Sequence, residues 1–194
     1  MTFDEYFVAA QRTRVPRSLA FDLNHAILGF TTEIGELATI VKRNVIYGRP
    51  LSDEARAEAE EEIGDILWYT TPALLALAES PDDLDTRIWY ITSAGNSVPA
   101  LTTDGCIRAL VAANAAFIKA ASNLEISKLA AGDAIAAVQR IAAICFYAAT
   151  LFGSTPAAAM EKNIAKLRLR YPDKFTPELA EARLDKAGAS ARES

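Results

Sequence analysis

Two pairs of acids have the residue types and spacing to do chemistry: Glu33 with Glu36, and Glu62 with Asp65. A separation of three places both members of a pair on one helix face. Each acid directly precedes an apolar residue (Ile34, Leu37, Ile63 and Ile66), so all four lie on the shoulder of an apolar stripe. Where the two stripes pack together, the pairs converge at the edge of the core. Four oxygen ligands around one point suit a hard divalent cation, Mg²⁺ or Mn²⁺. No Lys, Arg or His stands three or four positions from any of the four. Like charges at such spacings cost a few tenths of a kcal/mol each, roughly, and a bound cation relieves them. Gly35 and Gly64 sit inside the pairs, each costing about 1 kcal/mol against Ala in a helix, which points to close helix approach or room for a ligand. A solvated acidic face is the rival reading. It suits one E-x-x-E better than two matched pairs without cations.

A second constellation lies near the C-terminus. Asn163, Lys166 and Arg170 precede Ile164, Leu167 and Tyr171 and share one helix shoulder. An amide and two cations suit a polyphosphate or a base edge. A cationic helix end that complements the macrodipole explains them equally well. His25 is the only histidine, which supports neither a Ser-His-Asp triad nor a zinc site, and is read as packing or capping. Trp68 and Tyr69 fall at core spacing and are read as core, with stacking on a base as the alternative. No P-loop motif is present.

The elements that position these residues are helices. Alanine is abundant, Gly and Pro number 9 and 8, and the 194 residues are 51% hydrophobic, enough for one compact all-α domain. Asp4–Arg14 reads as a short helix and Leu19–Asn44 as a long one, with Ile27, Phe30, Ile34, Leu37 and Val41 forming its stripe. After the turn at 47–50, Ser52 caps a helix to about Glu79, which Pro72 should kink. Asp82–Thr92, Asp104–Ser122, Ile126–Phe152, a helix from Thr155-Pro156 to Arg170 and a short one from Pro177 follow. Residues 94–103 read as a linker, 1–187 as a single domain and 188–194 as a mobile tail.

The net charge of −5 and pI near 5.0 argue against a nucleic-acid partner. The apolar segments read as too interrupted to span a membrane. Met1–Tyr6 lacks the features of a signal peptide. Cys106 and Cys145 read as buried free thiols, in keeping with a cytoplasmic protein.

E-I-G-E-L at 33–37 and E-E-I-G-D-I-L-W-Y at 61–69 resemble the paired E-x-x-E and E-x-x-D motifs of the MazG-type all-alpha nucleoside triphosphate pyrophosphohydrolases, a superfamily that includes the dimeric dUTPases. The opening at 2–13, H-A-I-L-G-F at 25–30 and N-I-A-K-L-R-L-R-Y-P-D-K-F at 163–175 are similar too, so the likeness covers roughly 1–79 and 150–177. The resemblance implies a helical bundle that hydrolyses a (deoxy)nucleoside triphosphate to the monophosphate and pyrophosphate. It implies Mg²⁺ on Glu33, Glu36, Glu62 and Asp65, with Glu36 as general base and Asn163, Lys166 and Arg170 on the substrate. It also implies a homo-oligomer, most simply a dimer. A non-catalytic nucleotide-binding or helical interaction protein is the alternative, as is a hydrolase of another phosphorylated nucleotide such as guanosine tetraphosphate.

The chain departs from compact members by inserting 80–149. Ile141–Tyr147 echoes Ile63–Tyr69, with Arg140 and Ala143 in place of Glu62 and Asp65. On this reading 104–177 is a metal-less second copy of the metal-binding half, 20–79. Chance similarity of two alanine-rich helices is the rival.

Overall fold

The computed structural model describes residues 1–15, 17–94, 100–123, 128–173 and 175–182. Their helices are α1 (Phe3–Gln11), α2 (Leu19–Val45), α3 (Asp53–Leu77), α4 (Pro81–Ala94), α5 (Thr103–Ala121), α6 (Lys128–Leu151), α7 (Pro156–Arg170) and α8 (Pro177–Ala182). Among the described residues there is no strand, and the chain is an all-α bundle. Most of the linker at 94–103, the expected helix start at Ile126 and the tail at 188–194 lie outside the described residues.

Helix starts follow local chemistry. Ser18, Ser52, Thr102 and Thr155 each accept a hydrogen bond from the backbone N–H three residues on. Thr2 and Glu5 form a reciprocal capping box at α1. α1 ends three residues before the expected Arg14, where the Thr13 hydroxyl donates to the Ala10 carbonyl at 3.0 Å and closes the turn. α3 runs unbroken through Pro72. The ring removes the N–H that would serve the Trp68 carbonyl, and the Thr71 hydroxyl donates to that carbonyl instead, at 2.9 Å.

The core is built from two hairpins. α2 lies along α3, and α5 lies along α6. They meet through α2 against α5 and α3 against α6. Phe30 and Phe117, both fully buried, pack edge to face at that seam, with ring centroids 5.5 Å apart. Like helix meeting like helix is compatible with a twofold relation between the hairpins. Burial also runs in step: Ile63, Gly64, Ile66 and Leu67 are buried, as are Ile141, Ala142, Ile144 and Cys145. α7 packs on α3, and α1 crosses both.

One sequence expectation needs correcting. Residues Ala130–Leu151 of α6 form a stretch with mean hydropathy 1.6, long and apolar enough by composition to cross a membrane. Asp133 and Arg140 do not interrupt it enough to fail that test. In the bundle 61% of the stretch is buried, and α6 packs against α3, α5, α4 and α7. The free thiols Cys106 and Cys145 lie buried among these helices.

Candidate metal and nucleotide site

The α2–α3 seam carries the acids. Ile34, Leu37, Ile63 and Ile66 are at most 3% exposed, and they pull their neighbours Glu33, Glu62 and Asp65 to the core's edge. One carboxylate oxygen from each of these three comes within 4.8 Å of the others. Octahedral Mg²⁺ needs ligand oxygens about 2.9–4.2 Å apart, given metal–oxygen bonds of about 2.0–2.1 Å. Glu33, Glu62 and Asp65 are thus the residues that could hold a metal ion. Among the described residues there is no second acidic group of this kind.

Glu36 stands apart from the triad. It is exposed, one turn along α2, yet close enough to act on Glu62 electrostatically. Burial and the carboxylates of Glu36, Asp65, Glu33 and Glu61 push Glu62 up to about 8. Burial, then Asp65 and Glu36, raise Glu33, while the Thr32 hydroxyl donates to it at 3.1 Å and pulls the other way. These shifts are the signature of acids crowded without enough positive charge.

Sequence spacing showed no local cation, but the fold supplies a distant one. Lys166 on α7 bonds Asp65 Oδ2 and lies 3.2 Å from Glu61 Oε1. Burial raises the Asp65 pKa, and the Lys166 ammonium partly offsets that. Asn163 Nδ2 donates to Asp65 Oδ1 at 2.6 Å. The buried Tyr6 hydroxyl lies 2.9 Å from Asn163 Oδ1 and 3.1 Å from the Gly64 carbonyl. Two of the three α7 residues therefore hold Asp65 in place. Arg170 lines the neighbouring cavity.

Gly64 explains how α7 comes so near. A Cβ there would lie 2.9 Å from Asn163 Cβ and 3.0 Å from the Ala159 carbonyl. Close helix approach is thus the reason for Gly64. At Gly35 nothing lies within 4 Å of the added carbon, so that position faces open space.

A cavity of about 370 Å³ opens beside the triad. Glu33 and Asp65 line it, together with Trp68, Tyr69 and His25. Arg14, Arg17 and Arg170 add positive charge. Trp68 and Tyr69, expected in the core, are only partly buried because this cavity takes one side of each ring. The Trp68 indole N–H donates to Thr13 Oγ1 at 3.1 Å, and the His25 ring meets Trp68 and Tyr69 edge to face at 5.8 and 5.3 Å. His25 thus packs, as expected, but on the exposed rim against these rings and not in the core. Loss of solvent around it holds its pKa below the usual value, with Asp22 opposing. Sequence spacing gave no hint of Tyr6, Arg14 or Asp22. Arg14 forms an ion pair with the buried Asp22 at the cavity wall.

In the second hairpin, the counterpart region is an alanine-lined groove between α5 and α6 that includes Lys119, Asp133 and Arg140. Ala143, which would match Asp65, is buried. Compared with known proteins, the chain matches no family model, no curated protein and no solved structure.

Proposed function

We propose that the chain is a Mg²⁺-dependent nucleoside triphosphate pyrophosphohydrolase that releases the monophosphate and pyrophosphate. The observation that carries this reading is an acidic triad, two of whose members, Glu33 and Asp65, line a cavity together with Trp68, Tyr69 and Arg170. A nucleotide needs both: π surface for the base, and metal with cations for the phosphates. The volume of about 370 Å³ lies within the range of small-molecule sites. A bound Mg²⁺ would neutralise phosphate charge and orient a water for in-line attack. Glu33, Glu62 and Asp65 would hold it. Glu36, exposed beside them, would take the water's proton. Arg170 would meet the phosphates. Mn²⁺ suits the same oxygen ligands.

The test is a panel of NTPs and dNTPs with Mg²⁺, with products separated. Pyrophosphate with the monophosphate supports the reading. Orthophosphate alone, or no turnover with any nucleotide, contradicts it. One observation favours a second reading, a nucleotide-binding protein without turnover: both Asp65 oxygens already accept hydrogen bonds from α7. Tight nucleotide binding without product in the same panel would select that reading.

A further inference from the structure

We infer that Lys166 holds two posts in turn: counter-ion of Asp65 before a divalent cation binds, and ligand of the substrate's phosphates afterwards. The inference rests on the pyrophosphohydrolase reading. Lys166 is bonded to a member of the triad, its side chain is only 12% exposed, and it bonds both Asp65 and Glu61. Its ammonium therefore sits where a dication at the triad would put its own charge. The two compete for Asp65 Oδ2 and repel each other.

The two groups that hold Asp65 differ in their freedom to leave. Asn163 is 3% exposed, and its amide oxygen is fixed by Tyr6, itself fully buried. Its Nδ2 has no other place to go. Lys166 has a four-carbon stem with rotatable donors. One helical turn further along α7, Arg170 lines the cavity beside Asp65. A Lys166 ammonium displaced from Oδ2 stays within reach of phosphate oxygens held beside Asp65, which would accept it. The charge that steadies the acids at rest is then reused on the substrate.

The experiment is calorimetry on the full chain at pH 8 with Mn²⁺ alone and then with Mn²⁺ and inorganic tripolyphosphate. The variants are Lys166→Met, which keeps the apolar stem, and Lys166→Gln, which keeps a donor for Asp65 should the first fail to fold. The expected result is about tenfold tighter Mn²⁺ binding in the uncharged variant, as a repelling cation is removed, and about tenfold weaker tripolyphosphate binding. Lys166→Arg should restore wild-type Mn²⁺ affinity, which a purely structural anchor would not predict. Unchanged or weaker Mn²⁺ binding in folded Lys166→Met or Lys166→Gln overturns the inference while leaving the metal site standing. Absence of Mn²⁺ binding in wild type and variants alike removes the site itself.

Discussion

Asn163 Oδ1 lies 2.9 Å from the Tyr6 hydroxyl, a contact between helices 157 residues apart in sequence that decides which way the amide faces. With the oxygen on Tyr6, the nitrogen must face Asp65, at 2.6 Å. A buried aromatic on α1 thereby orients a carboxylate on α3 through a side chain on α7.

Tyr6→Phe keeps the ring and removes the hydroxyl. Asn163 Oδ1 and the Gly64 carbonyl then lose a buried donor, so stability should fall by about 1–3 kcal/mol. Turnover should fall as well, because Asn163 is free to rotate away from Asp65. Urea denaturation and steady-state kinetics measure the two effects. A variant with wild-type stability and wild-type kcat/KM would show that Tyr6 does not act through Asn163.

The two glycines of the acid motifs should respond oppositely to alanine. Gly64→Ala drives a methyl against Asn163 and the Ala159 carbonyl, and overpacking of this kind costs about 1–3 kcal/mol. Gly35→Ala meets nothing and should gain up to about 1 kcal/mol from helix propensity. Thermal melts of both variants in metal-free buffer decide the matter. Equal shifts of the same sign would refute the packing argument.

The helices were legible because apolar residues recur every three or four positions and because Ser, Thr and Pro mark most starts. Glu33, Glu62 and Asp65 were legible for the same reason, since i and i+3 fix a shared face without knowledge of the fold. What spacing could not show is how α7 lands on α3. Lys166 and Asp65 are 101 residues apart, and the close approach of α7 to α3 at Gly64 helps to bring them together. Glu36 has the same spacing as its partner but a different outcome, because neither its own helix nor α3 covers it. Trp68 and Tyr69 do pack against the core, but periodicity gives the face of a helix and not that this face also lines a cavity.

Glu62 makes stability depend on pH. Its folded pKa of about 8 lies above the ordinary 4.5, so the folded state holds the proton more tightly than the unfolded chain does. That contribution is complete below pH 4.5 and is lost as pH rises toward 8. Metal-free protein should therefore melt at lower temperature at pH 8 than at pH 6, and Glu62→Gln should flatten this difference. Metal binding at pH 7 should release protons, visible as a buffer-dependent heat. A Glu62→Gln variant with the full wild-type pH dependence would contradict the assignment.

Trp68 offers an optical test of the cavity. The other tryptophan, Trp89, is 61% exposed on α4 and does not line the cavity, so Trp89→Phe leaves Trp68 as the reporter. Nucleotide binding with Mg²⁺ should quench the remaining fluorescence by stacking. Trp68→Ala should weaken nucleotide affinity by roughly 1–3 kcal/mol, the usual worth of a base–aromatic stack. If saturating nucleotide leaves the emission of the Trp89→Phe protein unchanged, the base does not enter this cavity.

The central claim is that Glu33, Glu62 and Asp65 together hold a divalent cation, and calorimetric titration of Mn²⁺ into metal-free protein tests it most directly. One ion per chain should bind in wild type, and Glu62→Gln and Asp65→Asn should each abolish that binding while the protein stays folded. Glu62→Gln should melt at or above the wild-type temperature without metal, since crowding among the acids is relieved, whereas Asp65→Asn gives up the ion pair with Lys166 and should melt lower. Wild-type Mn²⁺ affinity in both folded variants would contradict the account.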